Sequence, residues 1–400
     1  MSTPSLTIVA DDLTGACDTG ALFAGAGLVG VIAPPVLPDS AAAIVAVDTE
    51  TRRLTAAEAR HRLTRLGPRL GASALFKKID STLRGPVGAE IEALLEATGR
   101  ASALVCPALP AQGRTVVNGV LRVDGVRAHD TPIGRDADYG APTSEVLELL
   151  EWSGSGAGRR ARGLVHLSLG DVRAGVAKIL HAIERSGPAI VAADAETDAD
   201  LDALAAAFAE RRSLLLAGSA GLGGALARAL GHHGPPPALP AGRGWLIVVG
   251  SVHPASRAQL DALAAHGTPG AFIDGVAGPD LGPVSAALAR GGPCFLATRP
   301  PAVAAAGPPP LERGRALAAA AAVVIADAPP DLLVVTGGET AYALVEALGA
   351  TRLDLLGAPR SGLALGALGG RGLREISLLT KAGGFGGPEL LLDLLGGPGA

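Results

Sequence analysis

Aromatic side chains are nearly absent from this 400-residue chain, at 2% of its residues. That excludes a core of stacked rings and leaves Ala, Leu and Val to fill an interior that hydrophobic residues, at 48%, supply in quantity. Cysteine is scarce too: Cys17, Cys106 and Cys294 are odd in number, far apart and free of any C-x-x-C pairing. This argues against a disulfide frame or a thiolate zinc site and for a reducing compartment. Neither sign of charge dominates, and a formal net charge of -4 leaves no basic footprint for nucleic acid. Apolar runs are broken by charge or glycine before membrane-spanning length. The N-terminal M-S-T-P-S-L-T-I-V-A-D-D lacks the basic start and long apolar stretch of a secretory signal. The expectation is a soluble, cytoplasmic protein with neither a membrane nor a nucleic-acid partner.

Lysine is the most informative scarcity. Of 34 basic residues only Lys77, Lys78, Lys178 and Lys381 are lysines. Three of them fall in two short polar segments, F-K-K-I-D-S-T-L-R-G and T-K-A-G-G-F-G-G. In a chain whose composition suggests a GC-rich genome, a retained lysine points to work that arginine cannot do. A compact ammonium set against a phosphate is such work.

Short apolar runs alternate with helical patterns along the whole chain. Strands are expected at Leu6–Ala10, Ala43–Val47, Ala74–Lys78, Ala103–Cys106, Leu164–Leu167, Ala189–Ala192 and Leu214–Ala217. Helices are expected at Asp18–Gly27, Leu54–Leu66, Gly85–Thr98 and Ala225–Leu230. A Pro/Gly linker, Gly231–Gly244, precedes a second series of strands at Trp245–Val249, Gly270–Ile273, Pro293–Leu296, Leu332–Val335 and Glu375–Leu379. The fold class is therefore α/β with two domains, 1–236 and 237–400, each a mostly parallel β-sheet with helices on both faces.

Open parallel sheets bind ligands at the carboxyl ends of their strands, and the polar motifs fall there. Asp11-Asp12-Leu13-Thr14-Gly15, Asp48-Thr49-Glu50-Thr51-Arg52 and Lys78-Ile79-Asp80-Ser81 follow strands of the first half. Carboxylates, hydroxyls, Arg and Lys suit a small polyhydroxy acid. Gly250-Ser251, Gly337-Gly338-Glu339-Thr340 and Lys381-Ala382-Gly383-Gly384-Phe385-Gly386 follow strands of the second half. Glycines beside helix starts suit phosphate. Blander roles compete: Asp11 or Asp12 as a helix cap, Gly337-Gly338 as a tight turn, Gly-Gly-Phe-Gly as a loop with one buried aromatic, and Gly218-Ser219-Ala220-Gly221 as a plain helix start. His232-His233 and His253 show no ligand spacing, and no metal site is assigned. There is no Walker A sequence, no protein-kinase motif set, no G-x-G-x-x-G after the first strand and no G-x-S-x-G elbow.

These motifs together resemble the four-carbon acid sugar kinase family. The resemblance rests on A-D-D-L-T-G-A-C-D-T-G, D-T-E-T-R, K-K-I-D-S-T-L-R-G-P-V-G-A-E, P-A-L-P-A-Q-G-R-T-V-V-N-G, G-S-A-G-L, G-S-V-H-P-A-S, T-G-G-E-T-A and K-A-G-G-F-G, in that order over nearly the whole chain. It implies an ATP- and Mg²⁺-dependent kinase acting on threonate, erythronate or 3-oxotetronate. Substrate binding would fall to Asp11, Asp12, Arg52, Lys78, Ile79, Asp80 and Ser81, with Arg52 on the substrate carboxylate. Asp12, its rival Asp80 and Lys78 would be catalytic. Nucleotide binding would fall to Ser251, Gly337, Gly338, Glu339, Thr340, Lys381, Gly383, Gly384, Phe385 and Gly386. The chain departs from the family after Arg135-Asp136, where A-D-Y-G-A-P-T-S carries Ser144 but no His beside it. Competing classes are a non-catalytic sugar-acid and nucleotide-binding protein, a kinase of another short hydroxy acid, and a hydrolase or aldolase. A homodimer is left open.

Overall fold

The computed structural model describes residues 5–24, 29–32, 43–67, 70, 73–135, 140–154, 162–232, 234–273, 279–299, 310–370 and 373–396. The chain divides into two compact units, Met1–Gly234 and Pro235–Ala400. Both are α/β, with mostly parallel strands flanked by helices.

The first unit contains strands β1 (Leu6–Ala10), β2 (Val29–Ile32), β3 (Ile44–Asp48), β4 (Ala74–Lys78), β5 (Ala103–Cys106), β6 (Arg114–Val117), β7 (Val120–Val123), β8 (Val126–Arg127), β9 (Gly163–Leu167), β10 (Ala189–Ala193) and β11 (Leu215–Gly218). Its helices are α1 (Leu13–Ala21), α2 (Ala56–Leu66), α3 (Val87–Thr98), α4 (Val146–Gly154), α5 (Leu169–Arg173), α6 (Val176–Arg185), α7 (Asp198–Glu210) and α8 (Ala220–Ala229). The main sheet runs β2-β3-β1-β4-β11-β5-β10-β9, and each adjacent pair is parallel. Every residue of β1, β3 and β4 is buried. That is why these strands read as continuous apolar runs with no alternation. Strands β6–β8, which the apolar-run reading passed over, form a separate antiparallel sheet.

The second unit contains β12 (Trp245–Val249), β13 (Gly270–Ile273), β14 (Cys294–Thr298), β15 (Leu332–Thr336), β16 (Arg352–Gly357), β17 (Leu363–Gly370) and β18 (Leu373–Lys381), with α9 (Pro254–Ala265), α10 (Gly282–Ala289), α11 (Pro310–Asp327), α12 (Gly338–Ala347) and α13 (Leu390–Gly396). Strands β13-β14-β12-β15-β18 are parallel, and β17 and β16 continue the order antiparallel. The core packs Trp245, Ile247 and Val249 against Leu260, Leu263, Leu363 and Leu391. Among the described residues no helix is long and apolar enough to cross a membrane.

Two helices differ from the sequence reading: α8 begins at Ala220, not Ala225, and α1 is shifted toward the N-terminus, ending at Ala21. The first helix starts at Leu13, not Asp18, with the Asp12 side chain capping it by accepting from the Gly15 N–H. A glycine in the first turn hides this start from propensity, but the cap supplies what propensity lacks. The far end of the expected helix, residues 25–27, lies outside the described residues, as do His233 and Asp136–Tyr139.

Candidate active site

The first unit gathers its charges where β1, β3 and β4 end. Asp11 is the residue after β1 and is 1% exposed. Arg52 donates Nε to Asp11 Oδ2 at 2.7 Å, Nη2 to Asp11 Oδ1 at 2.9 Å, and Nη1 to Asp12 Oδ2 at 2.6 Å. The bidentate edge of Arg52 is thus occupied by Asp11. Only its remaining N–H groups could reach a substrate carboxylate, so the expected fork-on-carboxylate grip on substrate does not fit this geometry. Burial would raise the Asp11 carboxyl, but the combined charge of Arg52, Lys77 and Lys78 holds it below its usual range.

Asp12 accepts from Gly15 N at 2.8 Å and from Thr14 Oγ1 at 3.0 Å besides Arg52. Its side chain keeps 13% exposure against 1% for Asp11, so it is the more accessible member of the pair. Lys78, at the end of β4, donates Nζ to the Ile79 carbonyl at 2.9 Å. A Cβ built on Gly15 would lie 2.5 Å from Asp12 Oδ1 and 3.3 Å from Lys78 Nζ. Asp12 Oδ1 thus overlaps the place that a side chain at residue 15 would take, with Lys78 Nζ close beside it, an approach that needs glycine there.

Asp80 is bound more tightly. Arg84 grips it at 2.9 Å through Nε and 2.6 Å through Nη2, and the Thr82 N–H and hydroxyl also donate to it. Against the cost of burial, Arg84, Arg52 and Thr82 hold its carboxyl well below the usual range. A carboxylate so stabilised is a poor proton acceptor. Ile79 is buried, and its N–H donates to Gly218 O at 2.9 Å. Ser81 is half-buried on the same turn. Leu83 in this loop and Glu50 in the β3 loop have φ of 59° and 45°. Left-handed backbone in non-glycine residues costs about 1–3 kcal/mol and clusters at binding loops.

Lys77 does not face a phosphate. It is fully buried and pairs with Glu90 at 3.1 Å, and Thr51 donates to the same Glu90 oxygen. Asp48, at the end of β3, is also buried; desolvation and the neighbouring Glu50 push its carboxyl well above the usual range. Ser144 has a histidine partner from elsewhere in the chain, with His129 Nδ1 2.8 Å from its hydroxyl. Ser219 is the helix start of the blander reading, capping α8 by accepting from Gly221 N.

In the second unit the ends of β12, β15 and β18 converge. A Cβ on Gly383 would overlap the Ser251 hydroxyl, and one on Gly337 would lie 3.5 Å from Ser251 Cβ. Gly337 precedes α12 at φ 91° with no side-chain cap, and Gly338 and Glu339 begin the helix. Thr340 is buried, packed where a Cβ on Gly250 would otherwise stand. Phe385 packs its ring on the core, and Gly386 turns the chain at φ 85°.

Lys381 is spent inside the protein. Its Nζ donates to the carbonyls of Ala382 at 2.9 Å, Gly383 at 3.4 Å and Phe385 at 3.0 Å, and lies 3.3 Å from Ser256 Oγ. Burial pushes its ammonium down to about 8. The expected contact with phosphate is replaced by a contact with the loop. Sequence reasoning missed four residues here: Gly15, Arg84, Ser256 and Gln259. The first three lay inside motifs already singled out; Gln259, three residues beyond its motif, gave no local signal. Among the described residues no group of three His, Cys, Asp or Glu side chains could hold a metal ion.

Two family models match the chain. Residues 6–226 match the family model described as a sugar-binding N-terminal domain, and residues 246–391 match a nucleotide-binding C-terminal domain. D-threonate kinase of Bordetella bronchiseptica is 34% identical over 416 residues, covering 98% of this chain and 97% of that one. 3-Oxo-tetronate kinase of Methylobacterium radiotolerans is 32% identical, with 98% and 99% covered. D-threonate kinase of Salmonella typhimurium is 33% identical over 270 residues, and that match spans 66% of this chain and 61% of the relative. A solved Salmonella typhimurium LT2 structure named as a tRNA synthase superposes with TM-score 0.76 at 22% identity over 97% of this chain and 98% of that one, a likeness that speaks for the fold alone. A Bordetella bronchiseptica protein solved as a domain-swapped dimer with bound citrate is 31% identical, with TM-score 0.50 and 98% of both chains covered. The class is that of two-domain small-molecule kinases. The chain belongs to the four-carbon acid sugar kinase family.

Proposed function

We propose that this protein transfers the γ-phosphoryl group of ATP to the terminal hydroxyl of a four-carbon sugar acid of the threonate, erythronate or 3-oxotetronate type. The sugar acid binds the first unit and the nucleotide the second. The observation that carries this reading is the close approach of the Asp12 carboxylate and the Lys78 ammonium beside Gly15. A hydroxyl placed against them meets a proton acceptor on one side and a cation on the other, the pair of groups phosphoryl transfer requires.

In this scheme Asp12 orients the attacking hydroxyl and takes its proton. Lys78, with one donor on Ile79 O, turns its other N–H groups to the substrate or the transferred group. Arg52 bridges Asp11 and Asp12 and offers its unspent N–H groups to the substrate carboxylate. Asp80 and Arg84 brace the Lys78 loop. The glycine segments of the second unit suit a nucleotide because glycine lets backbone N–H groups approach phosphate oxygens. Bound Mg²⁺ would supply charge neutralisation on the phosphates. With no three-carboxylate cluster among the described residues, phosphate oxygens and water would provide most of its ligands. The names of the full-length relatives support the substrate class. The domain-swapped Bordetella relative supports a homodimer, and free, buried cysteines support the cytoplasm.

The test is ADP release by a coupled assay over D-threonate, D-erythronate, their 3-oxo counterparts and other short hydroxy acids. Release that depends on one of the four-carbon acids is expected. ADP release independent of any acid, or tight acid and ATP binding without turnover, would overturn the kinase reading.

A further inference from the structure

We propose that Ser256 and Gln259 of α9, together with Lys381, are positioning residues that fold the Gly383–Gly387 loop into a cradle of backbone N–H groups for the phosphates of the nucleotide. The inference rests on the placement of nucleotide in the second unit and adds residues outside the glycine motifs.

The loop's carbonyls are turned into the protein one after another. Gln259 is fully buried, and its Nε2 donates to the carbonyls of Phe385 at 3.0 Å, Gly386 at 3.1 Å and Gly387 at 2.9 Å. Ser256, also fully buried, donates to Gly383 O at 2.6 Å. Lys381 Nζ takes the carbonyls of Ala382, Gly383 and Phe385. Gln259 Oε1 is buried without a hydrogen-bond partner. A buried amide with a satisfied donor and an unsatisfied acceptor is held for its donor, since the orphan oxygen is a standing cost. Reversing the amide would set Oε1 against three carbonyl oxygens, so the acceptors fix its orientation.

In a trans peptide the carbonyl of one residue and the N–H of the next point in opposite directions. Drawing the carbonyls of residues 382, 383, 386 inward therefore turns the N–H groups of Gly383, Gly384 and Gly387 outward, and that of Phe385 turns Gly386. Among the described residues no acceptor takes any of these four N–H groups, whereas the intervening Phe385 N–H closes a turn on Ala382 O at 3.0 Å. Gly384 and Gly387 are exposed and Gly383 and Gly386 half-buried. Successive outward N–H groups in a glycine loop form an anion-binding concavity. The loop itself carries no charged group to bind phosphate. Its fitness for phosphate comes from the side chains behind it, which consume the carbonyls of Gly383, Phe385, Gly386 and Gly387.

The test is calorimetric titration of the full chain with MgATP, adenosine and D-threonate, alongside thermal melting. Gln259→Met keeps the side-chain length and removes the donor; Gln259→Glu replaces the donor with acceptors; Ser256→Ala removes the second anchor. MgATP affinity is expected to fall about tenfold in Gln259→Met and further in Gln259→Glu. Ser256→Ala is expected to weaken MgATP in the same direction. Adenosine and D-threonate affinities are expected to stay within about twofold of wild type. Wild-type MgATP affinity in both Gln259→Met and Ser256→Ala would overturn the proposal. So would an equal loss of adenosine and MgATP, which would assign the anchors to the nucleoside. If Gln259→Met does not fold, the Ser256→Ala comparison decides alone. A wild-type chain that binds no MgATP would instead overturn the functional reading on which the inference rests.

Discussion

The two units build the ends of their parallel strands from opposite materials. The first uses side-chain charge. Arg52 joins Asp11 and Asp12, Arg84 holds Asp80, and Lys77 pairs with Glu90. The second uses backbone, with Ser256, Gln259 and Lys381 spent on carbonyls of the loop. Lysine shows the difference most plainly. Lys78 stands beside Asp12 and Gly15 and keeps 7% exposure, while Lys381 is fully buried beneath its loop. A cation beside a strand end therefore has two distinct settings: next to a carboxylate at the edge of the fold, or inside it, shaping a loop. A charge cluster is sensitive to each member's ionisation. A backbone cradle is sensitive to volume and to the anchors behind it.

The largest expected effect is in the charge cluster. Asp12→Asn should cut turnover by about 10²–10⁴ while MgATP affinity is retained. Steady-state kinetics with calorimetry checks this, and near-normal kcat would move the proton-accepting role elsewhere. Next is the glycine beside them. Gly15→Ala drives a methyl against Asp12 Oδ1 and Lys78 Nζ and should lower kcat/KM for the sugar acid by about 10² by displacing the carboxylate. Equal losses in MgATP affinity would erase the contrast between the units.

The cradle should respond to volume. A Cβ at Gly384 would stand 3.1 Å from His253 Nε2, so Gly384→Val should weaken MgATP about tenfold and leave sugar-acid affinity intact. The reverse pattern would exchange the roles of the two units. The smallest effect is pH dependence. Lys381 in the fold is pushed down to about 8 from an ordinary 10.5. Between these values the unfolded chain keeps the proton and the folded chain has released it, so this residue's contribution to stability rises with pH across that window. Denaturant melts between pH 8 and 10 should show wild type gaining on Lys381→Met by at most about 1.4 kcal/mol per pH unit. A constant difference would mean that the ammonium stays charged in the fold.

Apart from β2, the parallel strands of both units were legible because full burial on two faces demands unbroken apolar runs, as in L-T-I-V-A and W-L-I-V-V. The antiparallel β17 was not, since L-A-L-G-A-L-G-G has neither alternation nor a clear hydrophobic block, and only pairing with β16 and β18 defines it. Strand β2 and the β6–β8 sheet were missed for the same reason. The motif positions at strand ends were legible through residue type. Which partner each group takes was not. The fork of Arg52 suits a substrate carboxylate and Asp11 equally well, and only the register that sets Ala10 beside Asp48 brings Arg52 onto Asp11.

By itself the sequence determined the α/β alternation, the break near the proline run and the separation of a charged half from a glycine-rich half. These follow from local composition and period, which act over a few residues. The tertiary structure alone decided that Lys77 and Lys381 face inward, that Asp80 is committed to Arg84, and that Gln259, 126 residues before Phe385, anchors its loop. Such outcomes depend on which strand ends become neighbours, and on buried donors competing for a limited set of acceptors. Neither can be read before the chain is closed on itself.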